Sequence, residues 1–70
     1  MSDVKEKYVM MFATYPDVVD LEQMRTMLGG ARPISPTLAY RMLRKKQIKS
    51  KKIGREYKIL KTEIINYLTD

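Results

Sequence analysis

Residues 35–59 read SPTLAYRMLRKKQIKSKKIGREYKI, and this stretch decides the fold. Ser35 is a good helix N-cap, and Pro36 fits the first helical position, where no amide donor is needed. At about 100° per residue, Leu38, Ala39, Met42 and Leu43 gather on one side of the helix that follows. Thr37, Tyr40, Arg41 and Arg44 fall on the other side. The apolar side requires a core. The opposite side presents two guanidinium groups, a phenol and a hydroxyl. Continued further, the helix would turn Lys46 inward, so it is expected to end near Lys45. Ile48 to Ile59 then reads as a β-hairpin, with Gly54 supplying the backbone freedom of a tight turn. Pairing Ile53 with Tyr57 directs Ile53, Tyr57, Ile59 and the aliphatic stem of Lys51 to the core. Lys52, Arg55 and Lys58 are left outward or at the tip.

The flanking residues extend this plan. Asp20 is a suitable cap for an earlier helix ending near Leu28, with Glu22 near its positive end. Leu21, Met24 and Leu28 share a face, and Val19 is placed to staple onto it. Gly29-Gly30 ends that helix, and Ala31 to Ile34 form the turn. After the hairpin, Thr62 is a plausible cap for a last helix whose inward face is Ile64, Ile65 and Leu68. Residues 1–16 look like a flexible N-terminal arm ending at Tyr15-Pro16, and residues 17–70 form the domain proper. The expected class is α+β, in the order helix, turn, helix, hairpin, helix. The first two helices make a helix-turn-helix pair, and the basic hairpin stands where a wing would.

Charge is sorted along the chain. Residues 1–30 hold three Lys/Arg against five Asp/Glu, whereas residues 31–61 hold eleven against one. The net +6 therefore resides in the second helix and the hairpin. A basic stripe on a helix and a hairpin is the electrostatic footprint of a nucleic-acid binder. The plainer reading, a solvated face that keeps a small domain soluble, is disfavoured because such faces usually mix both signs.

With 70 residues there is room for one small domain. The chain has neither cysteine nor histidine. Disulfides, Cys/His zinc sites and imidazole or thiolate catalysis are therefore ruled out, and no metal or cofactor is expected. No paired carboxylates converge, and Gly29-Gly30 lacks the surroundings of a phosphate loop, so an enzyme is not expected. The longest apolar run, Tyr8 to Ala13, is too short to span a membrane. A cytoplasmic protein is the default.

Taken in order, Val19-Asp20-Leu21-Glu22, Leu28-Gly29, Ile34-Ser35, Tyr40-Arg41-Met42-Leu43-Arg44 and Ile53-Gly54-Arg55-Glu56-Tyr57-Lys58-Ile59, closed by the helix from Thr62 to Leu68, resemble a known family. It is the winged helix-turn-helix of phage and transposon excisionases, related to the DNA-binding domain of MerR-type regulators. The likeness covers about fifty residues. It implies a small α+β winged helix-turn-helix that binds and bends double-stranded DNA beside a recombination site. It also implies that the chain directs a tyrosine-type integrase toward excision, without catalysis or cofactor of its own. Carried over, recognition-helix contacts fall on Ser35, Thr37, Tyr40, Arg41 and Arg44, with Lys45 at the helix end. Wing contacts fall on Lys51, Lys52, Gly54, Arg55 and Lys58. Two departures stand out. The turn carries extra residues at Gly30 to Pro33, and Lys46 stands where the family often has glycine.

Double-stranded DNA, the integrase and neighbouring copies bound cooperatively on DNA are the implied partners. A small transcription regulator of the same fold is the nearest alternative. An RNA-binding module is a second, disfavoured because the five Tyr and one Phe are scattered and no aromatic pair lies on the hairpin's outer face. A third is a protein-interaction module, its basic face on an acidic partner or Val9, Met11 and Phe12 of the arm docked on one.

Overall fold

The middle strand of a three-stranded antiparallel sheet organises the molecule. In the computed structural model, which describes residues 2–69, the strands are β1 (Val18–Val19), β2 (Ser50–Ile53) and β3 (Glu56–Leu60), ordered β1-β3-β2. Four helices accompany them: α1 (Ser2–Met11), α2 (Leu21–Gly29), α3 (Pro36–Arg44) and α4 (Lys61–Thr69). The chain is a small α+β domain. Both α2 and α4 pack on β3 and on each other, α3 packs on α2, and α1 packs on α4. Among the described residues, no helix is long and apolar enough to cross a membrane.

Local chemistry sets the helix ends as the sequence suggests. The Asp20 carboxylate accepts from the Gln23 amide at 2.8 Å, and the Gln23 side-chain oxygen accepts from the Asp20 amide at 3.0 Å. This reciprocal capping box satisfies two amide donors at the start of α2. Val19 and Met24 flank the cap, and both are buried in the core. At the other end Gly30 adopts φ 64 and ψ −120, a backbone region open to glycine because it has no Cβ. Gly29 is needed for space: a Cβ there would stand 2.7 Å from the Ile34 nitrogen.

Residues 2–16 are not a separate arm. They form α1 and a following turn whose Phe12 is part of the one core. Phe12 stacks on Tyr8 at 5.8 Å between ring centroids and meets Tyr15 edge-on at 5.9 Å. The Lys61 ammonium donates to the carbonyls of Phe12 (3.3 Å) and Tyr15 (2.9 Å), tying the segment to the start of α4. Burial of one large aromatic side chain, with its neighbours, offsets the ordering of an otherwise weakly patterned segment.

The hairpin register also differs from the expected one. Ile53 pairs with Glu56, Lys52 with Tyr57, Lys51 with Lys58 and Ser50 with Ile59. The turn is therefore the two residues Gly54-Arg55, with Gly54 at φ 64 in the first position, as a type II′ hairpin turn demands. One residue of slip exchanges the faces of β2. Ile53 becomes 55% exposed, Lys51 leaves the core side, and Lys52 joins Tyr57 and Ile59 on it. Every residue of β2 is exposed, so no buried side chain of that strand fixes its register.

Smaller differences have equally direct causes. Leu38 is 39% exposed, because it lies about 100° from Ala39, at the edge of the buried stripe. Helix α4 follows β3 without a break, so Thr62 lies inside the helix and does not cap it. The core draws on every layer: Phe12, Val19, Met24, Met27, Ala39, Met42, Leu43, Ile48, Ile59, Ile64 and Ile65. Three methionines fill it, while Met10 and Met11 are exposed.

Replacing Phe12 with Ala is expected to cost about 3–5 kcal/mol in urea unfolding, because the substitution empties a core position. An unchanged unfolding midpoint would show that residues 2–16 do not stabilise the domain.

Candidate nucleic-acid interface

The turn between α2 and α3 is locked by one arginine. Arg25 Nε donates to the Ile34 carbonyl at 2.7 Å, and the Ile34 amide donates back to the Arg25 carbonyl at 3.2 Å. Glu22 holds the guanidinium from the other side at 2.6 Å. The two bonds fix where α3 begins relative to α2. Ser35 then caps α3 by accepting from the Leu38 amide at 3.1 Å, which leaves its O–H free to donate.

Ala39, Met42 and Leu43 bury one side of α3, leaving Thr37, Tyr40, Arg41 and Arg44 exposed on the other. Arg41 and Arg44 occupy the last turn, where the negative end of the helix dipole favours cations. The exit from α3 is a Schellman motif: Lys46 donates to the Leu43 carbonyl and Gln47 to that of Met42. Lys46 takes the left-handed position at φ 57, a role usually given to glycine.

Tyr40 of α3 meets Tyr57 of β3 with ring centroids 5.9 Å apart, and the Lys52 ammonium stands 5.5 Å from the Tyr57 centroid. This contact closes the gap between helix and hairpin. The result is a concavity of about 350 Å³ bordered by Thr37, Tyr40, Arg44, Lys52, Arg55 and Tyr57. A second hollow beside it shares Arg44, Lys52 and Tyr57 and adds Lys46 and Lys49. Among the described residues the single salt bridge is Arg25–Glu22, so no acid pairs with these cations. An uncompensated cluster of guanidinium and ammonium groups around aromatic faces suits an anionic, ring-bearing polymer. Arg55 marks the border: its other flank lines a separate hollow with Asp20 and Glu22 at the start of α2 and Glu56 of β3.

The fold thus gathers Thr37, Tyr40, Arg44, Lys52 and Arg55 around one concavity, with Arg41 beside them on the outer face of α3. Lys45 is the exposed C-cap of α3 and lines neither hollow, and Gly54 contributes only the turn backbone. Lys51 and Lys58 sit directly opposite each other on the reverse side of the sheet, away from α3. Tyr57, read from the sequence as a core residue, and Lys46, read only as the helix end, also border the hollows, as does Lys49. The correct two-residue turn at Gly54-Arg55 is the signal that places Tyr57 and Lys52 side by side. Among the described residues, the one aromatic pair within the basic surface, Tyr40 with Tyr57, joins α3 to the side of the hairpin that faces it; the hairpin's outer face carries none.

Compared with known proteins, the chain matches no family model, no curated protein and no solved structure.

Substituting Lys46 with Gly is expected to stabilise the fold by about 0.5–1 kcal/mol. That is the left-handed cost to a side chain, roughly 1–2 kcal/mol, less the extra chain entropy of glycine. Thermal unfolding followed by circular dichroism reads this as a higher midpoint, and a lower one would contradict the helix exit described.

Proposed function

We propose that the chain is a winged helix-turn-helix protein that binds duplex DNA sequence-specifically and bends it. In this reading it acts as an excisionase, directing integrase-mediated excision of a mobile element in the cytoplasm. The observation that carries the DNA reading is the meeting of unpaired cations from α3 and the hairpin around one concavity. The excisionase role rests on the ordered motif pattern from Val19 to Leu68.

In this mechanism α3 lies in the major groove. Arg41 and Arg44 stand one turn side by side and reach guanine edges or phosphates. A bidentate guanine contact contributes about 1–3 kcal/mol of base discrimination. The Thr37 amide, left free at the start of α3 by Pro36 and the Ser35 cap, faces a phosphate. The hairpin tip reaches an adjacent minor groove, where a narrow A·T-rich tract concentrates negative potential and attracts Arg55. Engaging two grooves from one rigid body favours a bent duplex. The acids beside Arg55 repel phosphates on that flank and set one edge of the footprint. A protein this small covers a short site, so neighbouring copies bind adjacent sites.

A second reading draws on the Tyr40–Tyr57 pair, which offers stacking surface within a basic hollow. Single-stranded nucleic acid is recognised by that combination. Tyr57 is half-buried, which leaves less free ring face than such platforms use. Competition between duplex DNA and single-stranded RNA separates the two readings.

The test is gel retardation on the element's attachment-site duplex, repeated across salt. With about six cations engaged, log K is expected to fall with log salt at a slope near −5. Arg41→Ala with Arg44→Ala is expected to weaken binding at least tenfold with an unchanged circular dichroism spectrum, and to abolish stimulation of excision by the integrase. Salt-insensitive binding, or none, contradicts the DNA reading. Intact DNA binding without any effect on excision contradicts only the excisionase role.

A further inference from the structure

The sheet has a reverse side that the proposed DNA surface does not use. Strand alternation places Val18, Leu60, Lys58 and Lys51 there together. Val18 and Leu60 are cross-strand partners, yet they remain 45% and 49% exposed. Lys51 and Lys58 are also direct partners, and like charges so placed destabilise a sheet. With Lys49, they surround the Val18–Leu60 pair in a groove of about 410 Å³. Glu63 of α4 is the sole acid on its border, and it forms no salt bridge with these lysines.

We propose that this groove docks an acidic peptide segment of a partner protein, one that carries apolar anchor side chains among its carboxylates. Two features of the groove select that chemistry together. Its floor is aliphatic, so an apolar side chain is removed from water on it. Its rim is three unpaired lysines, so carboxylates flanking that anchor relieve the Lys51–Lys58 repulsion. A phosphate backbone uses the rim but not the floor. The duplex surface also lies on the other side of the sheet, with Lys52 and Tyr57. One face of the hairpin thus serves nucleic acid, and its reverse serves protein.

The probe is a fluorescein-labelled peptide alternating glutamate with leucine, titrated into the full chain and followed by anisotropy. The control is a peptide of equal length and charge with serine in place of leucine. The leucine peptide is expected to bind at least tenfold more tightly. Leu60→Ser is expected to erase that difference, and Lys51→Glu to weaken both peptides. Both positions are exposed, so each variant should fold, as circular dichroism checks. Duplex retardation by the Leu60→Ser variant is expected to match that of the parent chain. Equal affinity for the two peptides, no binding of either, or displacement of the leucine peptide by duplex DNA would overturn the proposal. Failure of the chain to bind DNA leaves these peptide outcomes intact, so the two readings fail separately.

Discussion

Ile59 lies fully buried in the middle strand, paired with Val19 on one side and Ser50 on the other. That burial constrains the elements in contact with β3. Val19 immediately precedes the Asp20 cap, so seating β1 against β3 also sets the origin of α2. Lys61 follows β3 directly, so α4 starts where the strand ends, and its side chain secures the turn after α1. The hairpin is an extension of the same strand. A second constraint, the mutual hydrogen bonds of Arg25 and Ile34, transmits that order to α3. Helix and hairpin are therefore parts of one rigid unit, and the distance between their cations is set by packing.

Two kinds of residue were legible before any coordinates. Capping side chains act within three or four residues, so Asp20, Gly30, Ser35 and Pro36 mark their helix ends whatever the tertiary context. Helical periodicity placed Thr37, Tyr40, Arg41 and Arg44 on one exposed face. What stayed hidden depends on distant contacts. Helix α1 has weak sidedness, and its link to the core comes from Phe12, one residue beyond its end. Strand β1 has only two residues, too few for a pattern. The hairpin register went astray because Ile53 looks like a core residue while nothing in β2 is buried; the turn geometry at Gly54 decides instead. That single slip separated Lys52 from Tyr57 and grouped it with Lys58, whose true partner is Lys51.

The register has a functional consequence, since it divides the basic residues of the hairpin between two sides. Lys52 joins Tyr40, Arg44 and Tyr57, whereas Lys51 and Lys58 turn away toward Val18 and Leu60. Both groups of cations lack acidic partners, a cost to an isolated domain that anionic partners would relieve. The use of Lys46 at a left-handed helix exit fits the same pattern. Glycine would suit the backbone better, but lysine adds a cation beside the hollow.

The central claim is that α3 and the hairpin present a single surface to duplex DNA. Titrating the isotope-labelled chain with attachment-site duplex, and following backbone amides by NMR, tests it most directly. Amides of Thr37, Tyr40, Arg41 and Arg44 should shift together with those of Lys52, Gly54 and Arg55, reaching saturation at one DNA concentration while α1 stays still. Shifts confined to one of the two elements, or centred on α1 or the Val18–Leu60 face, would contradict it.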